Sequence, residues 1–167
     1  MNNDFETLAQ YSGDYADPPE KIRVAGRGIV IENNKILLTH ELNTGVYMSP
    51  GGGLEDGESP EECCVRELRE EAGAEVKVIR QFLRINEYCP ECMYVSNYFI
   101  CEKTGECKQS LTNIEIEHGA VPEWVEIEKA LALFGEYPTK RRDVASLYLR
   151  EYTMLNKYLE ITEASCR

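Results

Sequence analysis

A chain of 167 residues with 43% hydrophobic and 29% charged side chains has the size and make-up of one globular domain, which needs no disulfide or metal staple to fold. Thirty Asp and Glu against eighteen Lys and Arg give a formal charge of −12, which argues against an extended nucleic-acid surface. No apolar run approaches the ~20 residues of a membrane span, and the acidic start MNNDFETLAQYSGDYADPPEK lacks the build of a secretion signal, so a cytoplasmic protein with its seven cysteines as reduced thiols is expected.

In chain order, residues 1–20 read as an irregular arm that ends at Pro18 and Pro19. From Ile22, IRVAGRGIVIENNKILLTHE reads as two strands joined at Asn33 and Asn34, a pair that tolerates the left-handed backbone of a tight hairpin. GVYMSP is a further short strand, and the glycine run Gly51 to Gly53 reads as a loop. The clearest helix follows. Ser59 is a good N-cap, Pro60 suits the first turn, Glu62 completes a capping box and Gly73 ends the element. EVKVIRQFLRINEY and MYVSNYFICEK are strands joined by a CPEC turn, PEWVEIEKALALF is a strand end running into a short helix, and KRRDVASLYLREYTMLNKYLE is a longer amphipathic helix carrying Val144, Leu147, Tyr148 and Leu155. This order predicts an α+β fold in which helices cover a mixed β-sheet. Residues 21–160 are expected to form a single domain that includes the C-terminal helix, with 161–167 as a tail.

Residues 51–75, GGGLEDGESPEECCVRELREEAGAE, carry the chemistry. With Leu68 at the centre of a buried stripe, Cys64, Val65 and Ala72 fall near it, while Glu67, Glu70 and Glu71 gather on one flank. Like charges three and four residues apart destabilise a bare helix by a few tenths of a kcal/mol per pair. Crowded hard oxygen donors are what Mg²⁺ or Mn²⁺ requires, and bound cations would reverse the local sign for a phosphorylated ligand.

Gly52, Glu58, then Arg66-Glu67-Leu68, Arg69, Glu70-Glu71, Ala72 and Gly73-Ala74 resemble the signature of the Nudix hydrolases at every fixed position. At Ala74 the family usually carries a larger aliphatic residue, a difference that bears on packing. The resemblance reaches over roughly residues 22–135 and implies an α/β/α sandwich. It implies a divalent-metal-dependent pyrophosphohydrolase that cleaves the diphosphate of a small nucleoside diphosphate derivative by water attack on phosphorus. On this chain it implies Glu70 and Glu71 as main ligands of Mg²⁺ or Mn²⁺, the Gly51 carbonyl as a further donor, and Glu67 as ligand or general base. Arg66 is expected to clamp a box carboxylate, Glu58, with Gly52, Glu58 and Gly73 as structural support.

Relatives often add a carboxylate from a later loop, and Glu117 is the first candidate, with Glu115 and Glu123 behind it. His118 is a possible phosphate contact. Cys89, Cys92, Cys101 and Cys107 invite a zinc reading, although their spacing departs from common zinc sites. Cys63 and Cys64 read as small hydrophobes. Trp124, Tyr88, Tyr94 and Tyr98 read as core aromatics before base platforms. Pro90 lies sixteen residues past the box, where a proline is associated with ADP-ribose-cleaving members. An ADP-ribose-like sugar nucleotide is therefore the favoured substrate. Alternatives are a nucleoside triphosphate pyrophosphatase, trimming of RNA 5′ ends, and a non-catalytic nucleotide-sensing module. Besides a small nucleotide, a second copy of the chain is an open partner, and no membrane contact is expected.

Overall fold

The computed structural model describes residues 4–165. Its strands are β1 (Glu6–Tyr11), β2 (Ile22–Glu32), β3 (Lys35–Glu41), β4 (Val46–Met48), β5 (Gly51–Gly53), β6 (Ala74–Tyr88), β7 (Met93–Glu106) and β8 (Ala120–Glu126). Its helices are α1 (Pro60–Ala72), α2 (Asn113–His118), α3 (Ile127–Gly135) and α4 (Arg142–Ser165), with a 3-10 turn at Tyr137–Thr139. The strands form a mixed sheet in the order β1-β6-β7-β2-β3-β4, with β5 on β2 and β8 on β3. The α+β fold is as the sequence predicts. None of the described helices is long and apolar enough to cross a membrane.

Asn33 and Asn34 both have positive φ, the backbone that a two-residue hairpin needs to match the strand twist. The hairpin they close is short. β2 pairs with β3 only through Ile31–Ile36 and Glu32–Lys35, and spends the rest of its length parallel to β7 and antiparallel to β5. β3 thereby leaves β2 and pairs with β4 and β8 instead.

Alternation along β2 separates two cores. Ile29 joins Leu38, Leu83, Tyr98, Phe134, Tyr148 and Leu155 between the sheet and helices α3 and α4. Val30 joins Leu37, Cys64, Leu68, Phe99 and Cys101 beneath α1. Helices on both faces make the α/β/α sandwich. Gly26 and Gly28 let α1 lie close on β2: a Cβ on Gly26 would run into the Pro60 carbonyl, and one on Gly28 into Leu68 Cδ1.

Four expectations are corrected. The stretch read as an irregular arm contains β1, paired in parallel with β6 from Glu6–Leu83 to Tyr11–Tyr88. ETLAQY has little strand character of its own and becomes a strand because β6 offers unpaired backbone groups. The glycine run read as a loop forms β5, in register with Ala25, Gly26 and Arg27. A short helix, α2, occupies a stretch read as loop, and α4 extends through the predicted tail to Ser165, with 166 and 167 outside the described residues.

Candidate active site

α1 begins as its sequence dictates. Ser59 Oγ accepts from the Glu62 amide at 3.2 Å, and Glu62 Oε2 accepts from the Ser59 amide at 2.8 Å. Gly73 closes the helix in the left-handed conformation. Between these caps the buried stripe holds Leu68, Cys64 and Ala72 against the sheet. The flank beside it faces β5 and β3, which buries Glu67 and Glu71 to 8% and 6% exposure.

Arg66 organises the loop end of the site. Its Nε and Nη2 donate to the two Glu58 carboxylate oxygens at 2.8 and 2.9 Å, Nη1 donates to Glu67 at 2.8 Å and Glu70 at 3.0 Å, and Nη2 reaches the Gly53 carbonyl at 3.1 Å. The planar guanidinium fork makes this possible. Hydrogen bonding to Arg66 holds the Glu58 carboxyl down at about 2. A Cβ on Gly52 would collide with the Glu67 carboxylate, so that glycine gives the acid its space.

Glu71 is fixed from three sides. Its Oε2 accepts from Thr39 Oγ1 at 2.8 Å and from the Gly51 amide at 3.4 Å, and its backbone carbonyl accepts from Gln109 Nε2. Burial pushes the Glu71 carboxyl up to about 8, and the charges on Glu67 and Glu115 push in the same direction. Burial raises Glu67 as well, against the opposing pull of Arg66. One carboxylate oxygen from each of Glu67, Glu71 and Glu115 lies within 4.8 Å of the other two. Three buried or half-buried acids at such separation resist simultaneous ionisation, and a hard divalent cation is the species that relieves them. The donor set, all oxygen, fits Mg²⁺ or Mn²⁺ better than a soft metal.

The structure thus regroups the predicted residues. Glu67 and Glu71 converge, whereas Glu70, expected as a main ligand, is half-exposed and tied to Arg66. The Gly51 carbonyl accepts from Arg27 Nη1 at 3.5 Å, and it is the Gly51 amide that touches Glu71. Of the three later carboxylates, the one that reaches the helix is Glu115. Glu117 is exposed and outside the acidic group, and Glu123 is engaged by His40 at 2.7 Å and by the Tyr47 hydroxyl. The signal for Glu115 was in the sequence: Thr112 and Glu115 have capping-box spacing, and the pair starts α2 with Glu115 Oε2 accepting from the Thr112 amide at 2.7 Å. His118 is occupied by Glu41 at 2.9 Å.

Thr39, Gln109 and Arg27 were not singled out from the sequence. A lone threonine or glutamine carries no pattern until the sheet places it. A second network braces the site from behind. Glu151 of α4, fully buried, accepts from Ser49 Oγ and from the Ser49 amide at 3.3 Å, from Tyr98 at 3.2 Å and from Arg150 at 3.1 Å. Ser49 lies two residues before Gly51, so α4 holds the loop that carries the Glu71 contact.

The cysteines do not form a zinc site among the described residues. Cys101 Sγ lies 3.7 Å from Cys64 Sγ in the core, Cys107 Sγ lies 3.6 Å from the Arg69 carbonyl, and Cys89 and Cys92 flank the β6–β7 turn. Cys63, fully buried, lies 3.1 Å from the Gly52 carbonyl. Tyr98 is core, Trp124 is half-buried beneath α1, Tyr88 stacks on Tyr11 at 5.1 Å, and Tyr94 is exposed.

Comparison with known proteins agrees with this geometry. The family model of the NUDIX domain matches residues 22–147. The YjhB protein of Bacillus subtilis, named provisionally as an ADP-ribose pyrophosphatase, is 32% identical over 123 residues, 70% of this chain and 57% of that protein. The ADP-ribose pyrophosphatase of Methanocaldococcus jannaschii is 47% identical over 58 residues, 33% of this chain and 34% of that protein. The chain thus aligns with little more than half, at most, of these curated relatives. Among solved structures, a NUDIX hydrolase from Nitrosomonas europaea superposes with a TM-score of 0.60 at 20% identity, over 80% of this chain and 90% of that one, a likeness of fold.

Proposed function

The chain belongs to the NUDIX-domain family, and from that premise we propose that it is a divalent-metal-dependent pyrophosphohydrolase acting on an ADP-ribose-like sugar nucleotide. The observation that carries this reading is the convergence of Glu67, Glu71 and Glu115 on one point at the end of a loop braced by Arg66 and Glu58. Family members generally use a divalent cation, and the choice of Mg²⁺ or Mn²⁺ here rests on the all-oxygen donor set. ADP-ribose is favoured because the Bacillus subtilis and Methanocaldococcus jannaschii relatives carry that substrate in their names.

Glu71 and Glu67 would hold the cation, each oriented by its own partner, Thr39 and Arg66. A cation bound there supplies neutralisation of diphosphate charge and acidification of a water. Glu115 is the general base in this reading. Glu67 is tied to Arg66 and taken as a cation ligand, while Glu115 is half-buried, lies within reach of the same point and is fixed through the Thr112 amide. Arg66 and Glu58 act as positioning residues that lock the glycine loop onto α1. Gly52 gives Glu67 room, and Gly73 ends the helix before β6 turns away.

The test is release of AMP from ADP-ribose, set beside other sugar nucleotides, dinucleotides, nucleoside triphosphates and 5′-triphosphate RNA, with Mg²⁺ and with Mn²⁺. Turnover of sugar nucleotides, abolished in Glu71→Gln, is the expected result. Turnover of triphosphates alone would replace the substrate. Tight binding without turnover across the panel would replace the enzyme by a nucleotide sensor.

A further inference from the structure

A cavity of about 870 Å³ opens beside the site, bordered by Arg27 of β2, Pro90 and Tyr94 at the β6–β7 tip, Arg141 and Arg142 at the start of α4 and Arg150 two turns further along it. Four arginines line it against three acids, Glu87, Glu91 and Asp143, a basic balance in a chain whose formal charge is −12. They are not equivalent. Arg150 is spent on Glu87 at 3.0 Å and Glu151 at 3.1 Å; Arg141 and Arg142 are both exposed, and of these Arg141 is paired with Asp143 at 3.2 Å. Arg27 has only neutral acceptors, Ser96 Oγ at 3.3 Å and the Gly51 carbonyl at 3.5 Å. Arg142 likewise has only the Ser12 carbonyl, at 3.3 Å. Among the described residues, neither guanidinium has an acidic partner.

Arg142 is held there by tertiary structure. Once β1 pairs with β6, the following Ser12 and Gly13 lie against its guanidinium, and a Cβ on Gly13 would collide with Nη2. Arg141 and Arg142 also place cations at the N-terminal, positive end of a 24-residue helix, where the macrodipole disfavours them. An anion bound among them removes that cost, and the helix start adds its own attraction. Arg27, touching Gly51, connects this cavity to the acidic site on the next strand.

We propose that this cavity is a second anion subsite, in which Arg142, with Arg27 on the side of the acidic site, receives a phosphate monoester carried by the substrate beyond its cleaved diphosphate. The substrate assignment rests on the pyrophosphohydrolase reading above; the anion site itself does not. The same chemistry would accept free phosphate, and the experiment separates the two sources.

Inorganic phosphate is titrated calorimetrically into the metal-free protein, where the acidic site cannot recruit it. Saturable binding is expected, weakened about tenfold or more in Arg142→Ala and only in part in Arg142→Lys, consistent with loss of a charge-assisted pair. The unfolding temperature of each variant checks that the fold persists. In parallel, kcat/KM is compared for ADP-ribose and ADP-ribose 2′-phosphate. A preference for the phosphorylated substrate of about tenfold, reduced in Arg142→Ala, assigns the subsite to the substrate. Phosphate binding that depends on Arg142 without such a preference assigns it to a free anion. Absence of phosphate binding, or binding indifferent to Arg142, overturns the proposal. Failure of both nucleotides to turn over would remove the pyrophosphohydrolase reading while the calorimetry still decides the anion site.

Discussion

Arg66 meets both carboxylate oxygens of Glu58 through one guanidinium edge, Nε and Nη2, at 2.8 and 2.9 Å, across the turn that joins the glycine run to α1. The pair is largely buried, with side chains 21% and 12% exposed. Removing one partner leaves the other desolvated, so Glu58→Gln is expected to lower stability by about 1.5–3 kcal/mol at neutral pH. Glu58 has its folded pKa depressed to about 2 from an ordinary 4.5. Its stabilisation is therefore complete above about 4.5 and lost as pH falls through 2. Urea denaturation should show the wild-type advantage over Glu58→Gln at pH 7 and its disappearance near pH 2.

The acidic group has the opposite sign. Glu71 is raised to about 8 from an ordinary 4.5, so its ionisation costs nothing below about 4.5 and an increasing amount as pH rises toward 8. The metal-free protein should gain stability from this group when the pH is lowered from 8 toward 5. Because bound cations require ionised carboxylates, Mg²⁺ or Mn²⁺ should bind more tightly, with proton release, as pH rises over the same window. Saturation at a hundredfold excess over Kd would add about 2.7 kcal/mol. Melting curves in chelator and in millimolar Mg²⁺ at pH 6 and 8 would measure this, and curves that coincide at both values would remove the cation from the site. Glu71→Gln should melt higher than wild type in chelator at pH 8 and lose the metal response.

Glu115 and Glu117 lie two residues apart on α2, yet only Glu115 reaches the box. Glu115→Gln is expected to lower kcat about 100-fold or more, in the range of a lost general base, while metal affinity measured by calorimetry falls much less. Glu117→Gln should stay within about twofold of wild type, as expected of a surface change. Equal losses from both, or loss of metal binding together with kcat in Glu115→Gln, would reassign the base.

Close approach of α1 to β2 depends on Gly26, where a Cβ would meet the Pro60 carbonyl and lie 2.8 Å from the Cys64 amide nitrogen. Both obstacles are backbone and cannot rotate away. Gly26→Ala should cost about 1–3 kcal/mol or more by overpacking. Through the displaced helix it should also weaken the metal-dependent rise in melting temperature, which differential scanning calorimetry would register.

Elements whose signals are local were legible in the chain alone. Ser59, Pro60, Glu62 and Gly73 specify both ends of α1 because capping is a contact between near neighbours. Asn33 and Asn34 specify a hairpin for the same reason, and the spacing of Arg66, Glu67, Glu70 and Glu71 made the family legible. Thr112 and Glu115 carried an equally local signal for α2. Tertiary structure alone decided which carboxylates meet. Helical periodicity puts Glu67, Glu70 and Glu71 on one flank, but burial against β3 and β5 draws Glu67 and Glu71 inward with Thr39, while Arg66 holds Glu70 at the rim. β1 becomes a strand because a long partner strand leaves its backbone unpaired, and that pairing carries Ser12 to Arg142, some 130 residues further along the chain. Such contacts depend on long-range closure of the chain, for which a single sequence offers no periodicity to read.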